Sequence, residues 1–257
     1  MREPQEEGVW ISGLHSVEET FASRSGDVFE LWIESGSRTP ALEEIIREAR
    51  RLKILTRFKN KDELFRVTQE TRHQGVAARI RERETGSFLD FLKNLEIAGE
   101  EKKKGMLLVA LDQIQDPHNF GAIARSASVF GAQGLIIPDR RSASVSSGSI
   151  RSSAGAVQKI PVYQAPNLAQ SLLRAKEQGF WLYGASASGR KIWESALNFP
   201  MILVIGSESE GLRKSIEDLC DELVGIPVSD SGVSSLNASV AAGVLLYETL
   251  RRKEARA

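Results

Sequence analysis

The chain has 257 residues, 41% of them hydrophobic and 26% charged, with a formal net charge of zero. That length holds one large core or two small ones, and neutrality weighs against a surface given over wholly to nucleic acid, which calls for a basic balance. No apolar run nears the roughly 18 residues of a membrane span, the acidic MREPQEEG start has no signal-peptide core, and Cys220 stands alone, so a reducing cytoplasm is expected.

Residues 9–80 read as a small α/β unit. A short helix is expected at 16–21 and a strand at 29–33, with Val28, Leu31 and Ile33 as core candidates. After a turn cluster at 35–40, helix 42–52 places Leu42, Ile45, Ile46 and Ala49 on one face and arginines on the other. A strand at 53–56, a short helix at 62–67 and a strand at 76–80 complete the unit. Arg47, Arg50, Arg51, Lys53, Arg57, Lys59 and Lys61 crowd one stretch, with Glu48 the only acid among them. This local basic patch is either a solvated helix face or a phosphate contact.

Residues 81–104 are charged, with one amphipathic helix expected at 87–96 and a solvated linker in GEEKKKG. The expected division is a domain at 1–82, a linker at 83–104 and a domain at 105–257. His15, His73 and His118 are too scattered for a metal cluster, and no metal is expected.

The second domain opens with a buried strand at 107–111, a polar break at 112–118 in which Pro117 ends regular structure, and a helix capped by Asn119. That helix runs to about Phe130, with Gly131 as its stop. Phe120, Ile123, Ala127 and Phe130 form its apolar stripe, and Arg125 lies about 180° away at 100° per residue. Strands at 134–138, 160–163, 180–184, 201–205 and 222–226 alternate with helices, which implies a mainly parallel α/β sheet. Leu236, Val240, Val244 and Tyr247 mark the expected buried face of the last helix. The Ser/Arg-rich stretch 139–153 reads as an RNA-facing loop or a plain connection. Neither a G-x-G-x-x-G fingerprint nor a P-loop lysine is present. Spacing alone therefore stops at an α/β domain with an unassigned site at the strand ends.

Three stretches carry a resemblance. DPHNFGAIARSASVFGA (116–132), VIGSESEGL (204–212) and SSLNASVAAGVLLYE (234–248) resemble, in order, the motifs of the SpoU/TrmH family of RNA ribose 2′-O-methyltransferases. Near the start, ISGLHSVEE with Gly13, His15 and Val17, and HQGVAARI at 73–80, resemble the small substrate-binding domain of the bacterial 23S rRNA guanosine 2′-O-methyltransferase branch. The resemblance implies a small N-terminal α/β RNA-binding domain and a trefoil-knotted C-terminal α/β domain. It implies S-adenosylmethionine as cofactor, a homodimer, and transfer of a methyl group to a ribose of 23S rRNA, at a guanosine. The alternatives are a tRNA ribose methyltransferase, or a non-catalytic RNA-binding factor in ribosome assembly.

The implied catalytic set is Asn119, Arg125, Glu208, Ser235 and Asn237, with Gly206, Ile226 and Leu236 around the cofactor and Arg47, Arg50, Arg51 and Lys53 on RNA. Each has a plainer reading. Asn119 is a cap, Arg125 a surface arginine, Gly206 a tight turn, Glu208 a cap for the helix after Leu212, and Ser235 with Asn237 an N-cap pair. A guanidinium stays protonated, so Arg125 suits a phosphate clamp that steadies a developing alkoxide, although family mechanisms also use it as a base assisted by the substrate phosphate. The loop at 229–232 is about one residue longer than in that branch, which blurs the cofactor contacts between Ile226 and Ser235.

Overall fold

The computed structural model describes residues 8–71, 73–81, 85–138, 160–229 and 236–255. The chain forms two compact units, divided between residues 83 and 84. The Ser/Arg-rich stretch 139–153 and Ser235 lie outside the described residues.

The first unit runs β1 (Gly8–Ser12), α1 (Leu14–Arg24), β2 (Val28–Glu34), α2 (Pro40–Arg51), β3 (Leu55–Lys59), α3 (Lys61–Thr68) and β4 (Val76–Arg81). Its sheet has the order β1-β4-β2-β3, with β2 and β3 parallel and the other pairs antiparallel. The register sets Leu31 against Ala78 and Ile33 against Val76, and all four are buried. Val28 is only half-buried. In α2, Thr39 accepts from the Leu42 backbone N–H, Pro40 takes the first position, and Leu42, Ile45 and Ala49 face inward, as the spacing predicts. The following strand starts at Leu55 rather than 53 because Lys53 takes a left-handed conformation (φ 57°) that turns the chain out of α2. Strand β1 escaped the sequence reading: only Ile11 of its residues is buried, so it shows no clear period.

The second unit runs β5 (Gly86–Ser87), α4 (Phe88–Ala98), α5 (Glu100–Lys103), β6 (Leu107–Leu111), α6 (Pro117–Val129), β7 (Gly134–Pro138) and β8 (Val162–Ala165). It continues with α7 (Leu168–Glu177), β9 (Trp181–Lys191), β10 (Met201–Ile205), α8 (Lys214–Glu217), β11 (Glu222–Gly225) and α9 (Ala238–Glu254). The sheet order is β11-β9-β10-β6-β7-β8-β5, and each neighbouring pair is parallel. Every residue of β6, β7 and β10 is buried, as expected of central parallel strands covered on both faces.

Three expectations change here. The segment at 83–104 is not a solvated connector: β5 pairs with β8, and Phe88, Leu92 and Leu95 of α4 enter the main core of this unit. Even Lys103 is buried, its Nζ donating to Glu100 Oε1 at 2.8 Å and the Gln178 carbonyl at 3.1 Å. The charge of GEEKKKG concealed this because one lysine head is satisfied internally. Second, Pro117 starts α6 instead of ending structure: Asp116 caps it, accepting from the His118 N–H, and proline fits the first turn where no intrahelical donor is needed. Third, α9 turns the other way. Ala238, Ala242, Leu245, Leu246 and Thr249 face the core, whereas Leu236, Val240, Val244 and Tyr247 are exposed. The helix is apolar on both sides, so its period could not choose a face.

Candidate active site

Strands β6 and β10 run side by side, and their C-terminal ends carry the two halves of the site. Past β6, the Asp112 N–H donates to the Ile205 carbonyl at 2.8 Å, one step beyond the ladder. Past β10, loop 206–212 folds back on itself, with Ser207 and Gly211 exchanging backbone hydrogen bonds of 3.1 and 3.0 Å. A Cβ on Gly206 would lie 2.3 Å from the Gly211 carbonyl carbon, so the loop itself demands glycine there. The loop returns to Asp112, a carboxylate with no exposed surface. Its Oδ2 accepts from the Arg213 backbone N–H at 2.8 Å, and its Oδ1 from Arg213 Nε at 2.7 Å.

These two ends bring Asn119, Glu208 and Asn237 together. With Asp116 capping α6, Asn119 sits inside the first turn and its amide is released from capping. Asn119 Nδ2 donates to Glu208 Oε1 at 2.8 Å, and Asn119 Oδ1 accepts from Asn237 Nδ2 at 3.0 Å. Asn237 Nδ2 also donates to Glu208 Oε1, which accepts a further bond from the Ala238 N–H at 3.3 Å. Asn237 does cap α9, its Oδ1 accepting from the Ser239 and Val240 N–H groups, so capping and cluster membership hold at once. Glu208 is no cap for α8, whose N-cap position is Arg213 and which has no side-chain cap. Its carboxylate lies at the N-terminus of α9, where the helix favours negative charge. Arg125 is on the exposed side of α6, and among the described residues it has no side-chain partner.

Beside this cluster lies a cavity of about 440 Å³ within the second unit. Gly206, Ile226 and Leu236 all line it, as does Glu208. Its walls are apolar at Ile205, Leu212, Val224 and Leu245, with the carboxylate-bearing Glu210 and Glu217 also at the lining. The size falls within the roughly 300–1,000 Å³ of small-molecule sites. One wall was missed from sequence: β9 runs to Lys191, and residues 185–188 flank the cavity. A Cβ on Gly189 would lie 2.7 Å from the Val224 carbonyl carbon, and one on Gly225 at 2.7 Å from the Ser186 carbonyl oxygen, so β9 and β11 meet there backbone to backbone. The small residues of ASASG were the available signal.

Arg47, Arg50, Arg51 and Lys53 are all exposed. Arg51 Nε donates to Glu48 Oε2 at 2.8 Å. That bond holds the Glu48 carboxyl below its ordinary range and raises the Arg51 guanidinium.

Comparison with known proteins follows this geometry closely. Residues 106–247 match the model of the SpoU rRNA Methylase family, and residues 10–86 that of the RNA 2′-O ribose methyltransferase substrate binding domain. The chain is 39% identical over 245 residues to the 23S rRNA (guanosine-2′-O-)-methyltransferase RlmB of Xanthomonas campestris pv. campestris, covering 95% of this chain and 96% of that protein. It is 35% identical over 249 residues to a putative TrmH family tRNA/rRNA methyltransferase of Staphylococcus haemolyticus, covering 96% and 97%. The crystal structure of the SpoU methyltransferase AviRb from Streptomyces viridochromogenes, in complex with AdoMet, superposes with a TM-score of 0.74 at 26% identity, covering 96% of this chain and 91% of that one. A matched family model over more than half the chain, and relatives aligned along almost all of it, show that this protein belongs to the SpoU family of RNA 2′-O-ribose methyltransferases.

Proposed function

We propose that this chain transfers a methyl group from S-adenosylmethionine to the ribose 2′-hydroxyl of a guanosine in 23S rRNA, in the cytoplasm and as a homodimer. The observation that carries the reading is the Asn119–Glu208–Asn237 cluster opening beside a cavity of about 440 Å³ at the strand ends. The cavity suits the cofactor: its apolar walls accept an adenine, and Glu208, Glu210 and Glu217 at its lining meet a cationic ligand. Bound there, S-adenosylmethionine supplies a methyl group already activated on a sulfonium.

The side chains then have the remaining work of alignment and charge control. Glu208, by accepting from both amides, fixes the orientation of Asn119 and Asn237 before substrate enters. Asn119 orients the ribose by hydrogen bonding. Arg125 clamps a neighbouring phosphate and steadies the negative charge that develops on the 2′-oxygen as its proton passes to solvent. Ser235 belongs to this catalytic set by its place in the third motif. The unit at 1–83 grips RNA, with Arg47, Arg50, Arg51 and Lys53 on phosphates, and the unit at 84–257 is catalytic and trefoil-knotted.

Dimerisation rests on the outward side of α9. Val240, Val244 and Tyr247 are 50%, 41% and 55% exposed, and Val129 on the adjoining α6 is 68% exposed. Such a contiguous apolar stripe suits a self-complementary two-fold contact. The choice of 23S rRNA follows the name of the Xanthomonas relative, while the Staphylococcus relative leaves tRNA as a second substrate to test. The experiment is transfer of label from S-adenosylmethionine to unmodified 23S rRNA and, separately, to unmodified tRNA. Ribose label in 23S rRNA at a guanosine is the expected result. Label in tRNA alone would overturn the substrate, and no label in either would favour a binding factor.

A further inference from the structure

Asp112 and Arg213 belong to none of the roles above, yet both ends of loop 206–212 converge on Asp112. Its backbone N–H holds the start of the loop through the Ile205 carbonyl at 2.8 Å. Its side chain holds the end, through the Arg213 backbone N–H at 2.8 Å and the guanidinium at 2.6 and 2.7 Å. Asp112 has no exposed surface, whereas the Arg213 side chain is 45% exposed. We propose that Asp112 and Arg213 are a positioning pair that sets Glu208 against Asn119 before any ligand binds.

Glu208 rides at the tip of the loop, and nothing in the tip but its own hydrogen bonds aims it. Gly206 has no room for a side chain, and the Ser207–Gly211 bridge makes the tip a stiff unit. A stiff tip points wherever its two ends are anchored, and Asp112 anchors both. Asp112 also opens the connection from β6 to α6, the helix that carries Asn119. The pair therefore ties the Asn119 side of the site to the Glu208 side. A carboxylate is needed because it accepts from a backbone N–H and a guanidinium together. An asparagine presents an amide N–H₂ to one of those donors and leaves it unpaired. Removing one member of a buried pair is costly for the same reason. Arg213 is needed for its fork, which a lysine ammonium does not reproduce.

This inference rests on the proposed roles of Asn119 and Glu208, and the test separates the two. Turnover on unmodified 23S rRNA is compared for wild type, Asn119→Ala, Glu208→Gln, Asp112→Asn, Arg213→Lys and the double variant Asp112→Asn/Glu208→Gln. Asp112→Asn is expected to lower kcat by about 100-fold, the order of loss from roughly 1 Å of misplacement, and Arg213→Lys by less, because its backbone bond to residue 112 survives. S-adenosylmethionine affinity falls less than kcat in both. The double variant is no slower than Glu208→Gln alone, because the pair acts through Glu208. Multiplying losses in the double variant, or Arg213→Lys with wild-type kcat, would overturn the pair. Should Asp112→Asn not fold, the double variant Arg213→Lys/Glu208→Gln against Glu208→Gln alone gives the same comparison. Full activity in Asn119→Ala would instead overturn the site on which the inference stands.

Discussion

At the scale of the residue, one acid decides what Asn119 can do. Asp116 takes the cap of α6, and Asn119, one turn further in, turns its amide to Glu208 and Asn237. The sequence pointed to Asn119 as the cap, whereas Pro117 takes the first turn of α6 and leaves the capping position to Asp116. The outward position of Arg125 was legible because helical phase alone puts it opposite the buried Phe120, Ile123 and Ala127. Replacing it with lysine keeps a charge and loses the planar fork, so Arg125→Lys should reduce kcat by at least 10-fold in single-turnover methylation, at unchanged S-adenosylmethionine affinity. Wild-type turnover would remove Arg125 from the clamp role. Cys220 gives a prediction of a different kind. Burial pushes its thiol from 9.0 up to about 12, and its Sγ donates to the Ile216 carbonyl. The unfolded chain loses this proton near pH 9 while the folded chain keeps it, so the unfolded state binds fewer protons in between. Stability from this group is complete below pH 9 and declines as pH rises towards 12. Chemical denaturation of wild type and Cys220→Ala across that range should show the steeper alkaline loss in wild type.

At the scale of the element, apolar runs were read well and two-sided helices were not. Strands β6, β7 and β10 are unbroken apolar runs, and the sequence boundaries match the structure. Helix α9 offers Ala238, Ala242 and Leu245 on one side and Val240, Val244 and Tyr247 on the other, and only the position of α6 and the sheet decides between them. Helix α4 was recognised as amphipathic, but its charged neighbours disguised it as part of a connector. Its packing is specific: Phe88 has no exposed surface, and its ring lies 5.9 Å from Phe91 and 6.4 Å from Tyr163. Phe88→Ala should lower the unfolding free energy by about 3–5 kcal/mol, as large-to-small core changes do. Urea titration followed by circular dichroism measures it, and a change within 0.5 kcal/mol, typical of a surface site, would return the segment to the status of a tether. The Asp112–Arg213 contact lay beyond the sequence altogether, because its members are 101 positions apart and neither belongs to a period.

At the scale of the whole molecule, the three stretches that resembled family motifs converge at the C-terminal ends of the central strands β6 and β10. The order of strands explains why: β6 and β10 are neighbours although far apart in the chain, and α9 returns beside them. The family and its reaction were legible from these motifs together, whereas the cavity wall from β9 required the fold. Val244→Glu places a charge in the outward stripe of α9 without touching the core, and on the proposed homodimer the wild type should sediment as a dimer and the variant as a monomer. A variant that sediments as wild type would move the interface elsewhere. The proposed site stands on Asn119, held by Asn237 and by the cavity-lining Glu208, being part of the catalytic machinery. The most direct measurement is single-turnover methylation of unmodified 23S rRNA by Asn119→Ala, alongside calorimetric S-adenosylmethionine binding. The account predicts intact cofactor binding with ribose methylation reduced at least 100-fold, as when well-oriented reactive groups are released. Methylation at the wild-type rate with intact binding would contradict it.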